Sequence, residues 1–366
     1  MYLLRKVVII SGLLLSLGCQ SNTNADATRQ GNKAHHTKDG FRNLHIVDPE
    51  KSFFDFLNMR FLGDEKWADH FSLAHEVPIQ QVDVTKLLAP SEMPQVTWLG
   101  HASFLFQHKG MNILTDPIFS ERASPLPFAG PKRYTQHPMD YALLPPIHAV
   151  LISHNHYDHL DNKTLAFLAS HKQAIQTTHF YVPLGLKQHL LDLDIESEFI
   201  TELDWYQSIE VEQNSVAMQI EALPSQHWSA RGLSDRRETL WASWAVKISD
   251  FTLWFAGDTG YNTEDFSGIG RHLQHVDLAL IPIGAYAPRW FMQTYHVNPA
   301  EALKIHQDIN AQLSIGMHWG TFPLTAEAPM EPVIVLDAEK RENNLDMASF
   351  ITLPIGATYL INNTDN

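Results

Sequence analysis

The chain holds one cysteine, Cys19, in 366 residues. A lone thiol excludes an intrachain disulfide framework and any zinc site built on several thiolates. Basic residues are few: 26 Lys and Arg face 41 Asp and Glu, for a formal charge of −15. That balance argues against a nucleic-acid partner held by bulk phosphate neutralisation, though not against a nuclease with a metal in its cleft. The N-terminal apolar run, Val7–Gly18, is shorter than the roughly 20 residues that a bilayer-spanning helix needs. No internal repeat and no Ser/Gly-rich linker interrupts the body. Charged residues make up only 18% and hydrophobic ones 44%, which excludes disorder for most of the chain.

Histidine is plentiful instead, with 21 copies. Any metal must therefore be held by histidines and carboxylates. The N-terminus reads as an address: Arg5 and Lys6, the run Val7–Gly18, then Cys19. It resembles a bacterial lipoprotein signal. The resemblance implies a signal peptide over residues 1–18, acylation of Cys19, a flexible tether over 19–40 and export to the cell envelope. Gln20 after the cysteine points, by the same resemblance, to the outer membrane, facing the periplasm.

Residues 41–93 are expected to form a helical or irregular extension around an apolar cluster that includes Phe53, Phe56, Phe61 and Trp67. Nothing in this stretch signals chemistry. From 94 to 366 strands alternate with helices, the mark of an α/β domain. Val96–Phe106 reads as one strand and Met111–Thr115 as the next, with Lys109-Gly110 at the turn. Ala217–Leu223, Trp241–Ile248, Phe251–Ala256, Leu278–Ile283 and Leu313–Met317 read as further strands. Pro299–Asp308 reads as a helix capped by Asn298, with proline at its first position.

The strongest chemical signal follows the short run Val150-Leu151-Ile152. It is Ser153-His154-Asn155-His156-Tyr157-Asp158-His159-Leu160-Asp161. Imidazoles and a carboxylate at this density cannot be buried without hydrogen bonds or a metal. In extended chain His154 and His156 point the same way, and a turn after Tyr157 would bring Asp158 and His159 to an adjacent position. Three more candidates, His227, Asp258 and His318, each follow an apolar run. Strand ends along one sheet edge are where α/β folds place their sites. Nitrogen and carboxylate donors suit zinc, with iron or manganese as alternatives.

The series His154, His156, Asp158, His159, His227, Asp258 and His318 resembles the ligand set of the metallo-β-lactamase superfamily. Further segments resemble one branch of it, the N-acylphosphatidylethanolamine-hydrolysing phospholipase D family. They are Trp98–Ala102, Leu114–Ser120, Gly130–Arg133, Leu144–Ile147, Ser225–Trp228, Gly257–Tyr261, Ile281–Tyr286 and Pro288–Met292. The likeness runs from about Pro94 to Phe322.

That resemblance implies an αββα sandwich with an N-terminal extension and two zinc ions at one edge between the sheets. His154, His156 and His227 would hold one ion and Asp158, His159 and His318 the other, with Asp258 shared. Positions matching Tyr157 and His296 would contact substrate. The implied reaction is hydrolysis of an N-acylphosphatidylethanolamine to N-acylethanolamine and phosphatidic acid, by hydroxide between the metals attacking phosphorus. Asp158 would orient that hydroxide, and His296 or a water would protonate the leaving group. The implied partners are a phospholipid substrate and a membrane surface, with no nucleic acid; a homodimer is compatible. Two other readings stay open. One is a hydrolase of the same fold acting on a lactone, an amide or a soluble phosphodiester. The other is a non-enzymatic envelope lipoprotein, against which the full ligand set argues.

Overall fold

A computed structural model describes residues 33–49, 51–170, 178–213, 215–232 and 234–362. The expected signal peptide, Cys19 and the tether up to residue 32 lie outside the described residues. The compact unit described below starts at His35.

Two seven-stranded sheets form the frame. The first runs, in spatial order, Thr358–Leu360, Gln95–Gly100, Ser103–His108, Met111–Thr115, Ala149–Leu151, His179–Pro183 and Ile200–Leu203. The second runs Phe350–Ile351, Ala311–Met317, Val276–Pro282, Phe251–Phe255, Ser243–Ile248, Val216–Leu223 and Gln207–Gln213. Successive side chains of a strand face opposite ways, and both faces of the first sheet are apolar. Phe104, Phe106, Ile113, Leu151 and Tyr181 enter the core between the sheets. Leu105, Leu114, Val150, Phe180 and Val182 face the other way, into a core shared with helices Asn162–Ser170 and Lys187–Leu191. From the second sheet, Trp244, Val246, Leu253, Phe255 and Leu278 join the inter-sheet core. There Phe106 stacks on Phe251 at 5.3 Å, and the Trp244 indole donates to the Ile152 carbonyl at 2.9 Å. Helices Thr263–Leu273, Pro299–Asp308 and Glu331–Glu342 cover the second sheet. The architecture is the expected αββα sandwich.

Trp98, Trp241, Trp244 and Trp254 are fully buried. Each removes about 150–250 Å² from water, worth several kcal/mol at about 25 cal/mol per Å². The sandwich therefore draws its main stabilisation from this interior rather than from its polar edge. The Pro299–Asp308 helix is capped as expected: Asn298 accepts from the Glu301 N–H while the Glu301 carboxylate accepts from the Asn298 N–H.

Three expectations are corrected. Val96–Phe106 is not one strand but two, reversing between Gly100 and Ser103. Gly100 at φ 102 and His101 at φ 55 provide the left-handed backbone that a reversal this tight needs. The tether does not extend to residue 40. His36–Thr37 pairs with Gly40–Phe41, and His35 is buried against Trp205 with a 2.6 Å hydrogen bond to Asp204. A carboxylate and an aromatic face thus dock what composition alone marks as flexible. Nor is 41–93 separable from 94–366. Val77 belongs to the inter-sheet core and Leu87 to the outer one, and the Gln80 N–H donates to Ile355 at 2.7 Å. Among the described residues no helix is long and apolar enough to cross a membrane.

The consequence for function is positional. Asp116, His154, His227, Asp258 and His318 each stand just beyond the C-terminal end of a strand. These ends meet at one edge of the sandwich.

Candidate metal centre

His154, His156 and His227 bring their ring nitrogens together in one group. Asp158, His159 and His318 form a second group, joined by His101. Asp258 faces both. Its Oδ1 lies 3.1 Å from His318 Nε2, and its Oδ2 lies 3.1 Å from His159 Nε2 and 3.9 Å from His227 Nε2. The turn after Tyr157 is present, with the His159 and Leu160 N–H groups both donating to the His156 carbonyl. It carries Asp158 and His159 to the second group, as the spacing suggests. All seven expected ligands therefore converge.

The donor set fits divalent cations. Three rings direct their other nitrogen at fixed acceptors: His159 Nδ1 at Asp116 (2.6 Å), His227 Nδ1 at the Tyr295 carbonyl (3.0 Å) and His154 Nδ1 at Ser153 Oγ (2.8 Å). In the neutral rings those bonds set the tautomer and leave a lone pair on each Nε2. Yet His154 Nε2 lies 2.8 Å from His156 Nδ1, and His227 Nε2 lies 3.3 Å from the same atom. Likewise His159 Nε2 lies 3.1 Å from His318 Nε2. Donors around a tetrahedral zinc at about 2.0–2.1 Å stand about 3.3 Å apart. A cation between these atoms turns lone-pair repulsion into ligation.

Charge separates the two groups. Burial and the neighbouring rings of His159, His156 and His227 hold His154 well below its ordinary value. Burial also holds His227 well below. Burial alone would raise Asp158 and Asp258, but His159 beside them keeps both carboxylates well below their usual range. Against burial, Asp258 and Asp158 in turn raise His159 well above its ordinary value and His318 to about 9. A cation would therefore displace a proton from these two rings, whereas His154, His227 and both carboxylates already hold the protonation states that a metal needs.

His296 also reaches the centre, with Nδ1 3.8 Å from Asp258 Oδ2 and no hydrogen-bond partner there despite its burial. Burial, only partly offset by Asp258, takes it down to about 3. Tyr157 does not join the ligands. Its hydroxyl donates to the Arg231 carbonyl at 2.8 Å, and the Arg231 guanidinium covers its ring at 4.1 Å. It lines a cavity of about 780 Å³ on its own side of the centre, with Asn155 and Arg231.

A second cavity, about 390 Å³, ends at His296. Phe56, Met59, Trp228, Phe291 and Leu324 give it apolar walls, and Lys51 and Arg236 give it cations. Burial and the Arg236 charge lower Lys51 to about 8, so it is charged below that pH and neutral above it. Of the aromatic residues near the motifs, Trp228 and Phe291 line this cavity, and Trp290 is exposed. Tyr286, Trp319 and Phe322 are buried.

Two functional neighbours lie in the segments Trp98–Ala102 and Leu114–Ser120, to which the resemblance assigned no role. His101 Nε2 lies 2.9 Å from Asp158 Oδ2, with its ring 4.0 Å from that of His318. Asp116, fully buried, accepts from His159 Nδ1, from Ser153 Oγ at 2.5 Å and from the Ser153 N–H at 2.7 Å. The available signals were slight: a histidine after Gly100, and an Asp-Pro pair after a strand.

Comparison with known proteins decides the lineage. A profile described as "Beta-lactamase superfamily domain" matches residues 111–319. The chain is 43% identical over 269 residues to N-acyl-phosphatidylethanolamine-hydrolyzing phospholipase D 1 of Caenorhabditis elegans, covering 72% of this chain and 74% of that one. This chain belongs to the N-acylphosphatidylethanolamine-hydrolysing phospholipase D family of the metallo-β-lactamase superfamily. Like other members, this phospholipase D relative is a metal-dependent hydrolase. It is also 37% identical over 306 residues to an uncharacterized protein of Mycobacterium tuberculosis, covering 82% of this chain and 79% of that one. Among solved structures, a metallo hydrolase of Ignicoccus hospitalis shares the fold at a TM-score of 0.54 and 18% identity, covering 73% of this chain and 97% of that one.

Proposed function

We propose that this hydrolase is a zinc-dependent phosphodiesterase of phospholipase D type. It would cleave N-acylphosphatidylethanolamines to N-acylethanolamines and phosphatidic acid. The observation that carries this reading is the apolar, cation-bearing cavity that ends at His296, beside the donor cluster. A lipid with one negative charge has the matching shape and polarity. The substrate named for the Caenorhabditis elegans relative supports the same class.

Two divalent ions, one held by His154, His156 and His227 and the other by Asp158, His159 and His318 with Asp258 between, would supply Lewis acidity to a phosphoryl oxygen and an activated water. The chain's own groups would do the rest. Asp258 and Asp158 fix the position of both sites and offset their charge. Lys51 and Arg236 attract the phosphate-bearing end of the lipid. Phe56, Met59, Trp228 and Phe291 wall an acyl chain away from water. Tyr157, on the larger cavity, would contact the other arm of the lipid. His296 rests neutral, and nearby cations would lower it further. Its part at the leaving oxygen is therefore to donate a hydrogen bond, and the proton that this oxygen takes up would come from water.

Labelled water tests the bond cleaved. With oxygen-18 water and zinc-loaded protein, the label is expected in phosphatidic acid. Label in the N-acylethanolamine, or diacylglycerol as the lipid product, would refute the reading. His296→Ala is expected to lower turnover about 10²-fold or more, the range for loss of one positioned hydrogen-bond donor at a developing oxyanion, with metal content unchanged. We also propose that acylated Cys19 anchors the protein in the cell envelope. Cys19→Ser is expected to move the protein out of the membrane fraction, and full retention with normal processing would count against the anchor.

A further inference from the structure

The N-terminal extension contributes none of the proposed ligands, yet it is wired to one of them. The wiring starts where the described chain docks. His35 and His36 both reach Asp204, at 2.6 and 3.0 Å. The hairpin that follows lies against the Arg237 carbonyl, which accepts from the Phe41 N–H at 2.9 Å. Gly40, at φ +140, is what lets it lie there, because a Cβ would stand 2.1 Å from that carbonyl oxygen.

Beyond the hairpin, Asn43 is buried and its Nδ2 donates twice, to the His227 carbonyl at 2.9 Å and to Asp48 Oδ1 at 2.7 Å. Asp48 Oδ1 also accepts from the Tyr295 hydroxyl at 3.1 Å and pairs with Arg237 Nη2 at 3.1 Å. Arg237 Nη2 donates in turn to the Tyr295 hydroxyl at 2.9 Å. The Tyr295 carbonyl then accepts from His227 Nδ1 at 3.0 Å. These bonds close a loop: His227 to Tyr295, Tyr295 to Asp48, Asp48 to Asn43, and Asn43 back to His227. A single oxygen of Asp48 sits at the junction. Tyr295 precedes His296, so the same loop fixes both the imidazole expected to bind metal and the one expected at the leaving group.

We propose that Asp48 is a positioning residue for the metal centre, and that the extension is a working part of the active site rather than an appendage. Asp48 acts through the orientation of His227 and the placement of Tyr295-His296, and it touches no substrate. The proposal rests on the ligand role assigned to His227. Partners that orient a ligating histidine typically change metal affinity by about 10–100-fold when removed.

The test uses the full chain and reads zinc affinity by competition with a chromophoric chelator, alongside kcat, KM and thermal unfolding. Asp48→Ala is expected to weaken the zinc site containing His227 by about 10–100-fold and to lower kcat more than it raises KM. Asp48→Asn keeps an oxygen that accepts from Asn43 and Tyr295, and is expected to restore most of the zinc affinity that Asp48→Ala loses. Gly40→Ala, which displaces the segment without altering Asp48, is expected to mimic Asp48→Ala. Lower thermal stability with unchanged zinc affinity in Asp48→Ala would overturn the proposal, and so would Asp48→Asn behaving like Asp48→Ala. His227→Ala separates the two levels. If it too leaves zinc affinity unchanged, the ligand assignment fails and not merely the role of Asp48.

Discussion

Asp258→Ala is expected to cost more activity than loss of any single histidine of the centre. Its two oxygens are shared: Oδ1 faces His318 at 3.1 Å, and Oδ2 faces His159 at 3.1 Å and His227 at 3.9 Å. Each histidine serves one group, whereas Asp258 serves both. Its removal leaves the clustered imidazole lone pairs with one anionic neighbour fewer, so both ions are held less tightly. Metal assistance is worth several kcal/mol of barrier, and each 1.36 kcal/mol is tenfold in rate. Turnover is therefore expected to fall by about 10³-fold or more, with metal content per chain falling in the same preparation. The apolar interior should not suffer, because the aspartate stands beyond the end of the Phe251–Phe255 strand, at the edge of the sandwich. Far-UV circular dichroism should match the parent. Its placement depends on Gly257, at φ +61, where a Cβ would stand 2.5 Å from the Ser153 Cβ. Retention of full metal content and of turnover within tenfold in Asp258→Ala would refute the shared-ligand assignment.

The part of the centre that is local in the chain is the part that the sequence made legible. His154 to His159 lie within one loop, and their density has no inexpensive structural explanation. His227, Asp258 and His318 were legible because each ends an apolar strand. What escaped depends on contacts between distant residues. His101 meets Asp158 across 57 positions, Asp116 meets His159 across 43, and Tyr295 meets Asp48 across 247. Treating Val96–Phe106 as one strand also buried His101 mid-strand, when the reversal at Gly100 turns its ring towards the metal edge.

Secondary elements were lost for a related reason. Gln207–Gln213 is a half-exposed edge strand in which only Ile209 and Val211 are apolar, so it carries no apolar run. The helix Thr263–Leu273 contains Gly268 and Gly270, which lower its intrinsic propensity. Gly270 is needed because a Cβ there would stand 2.1 Å from the Asp308 carbonyl oxygen of the neighbouring helix. In both cases tertiary packing overrides the local signal.

Asp116 offers the sharpest separation of folding from metal binding. It is fully buried and is the common acceptor for the Ser153 N–H, Ser153 Oγ and His159 Nδ1. Asp116→Ala would leave three buried donors without a partner, at about 1–3 kcal/mol for each orphaned group. It would also remove, at φ 30, the short polar side chain that makes a left-handed backbone tolerable for aspartate. Breaking a buried pair of this kind typically costs about 3–5 kcal/mol. That loss is expected in urea unfolding of the metal-free protein. Asp116→Asn answers a different question. Asparagine tolerates the backbone and keeps the volume, but it replaces one acceptor with a donor. The His159 Nδ1–H then loses its charged partner, and the ring is free to turn or to change tautomer. Zinc affinity is expected to fall about 10–100-fold, so the stabilisation that added zinc confers should shrink by about 1.4–2.7 kcal/mol at fixed free metal. A metal-free stability within 1 kcal/mol of the parent for Asp116→Ala would show that these bonds do little for the fold. An undiminished zinc increment in Asp116→Asn would show that His159 needs no orienting partner. The two effects separate because the first is read without metal and the second only as the difference that metal makes.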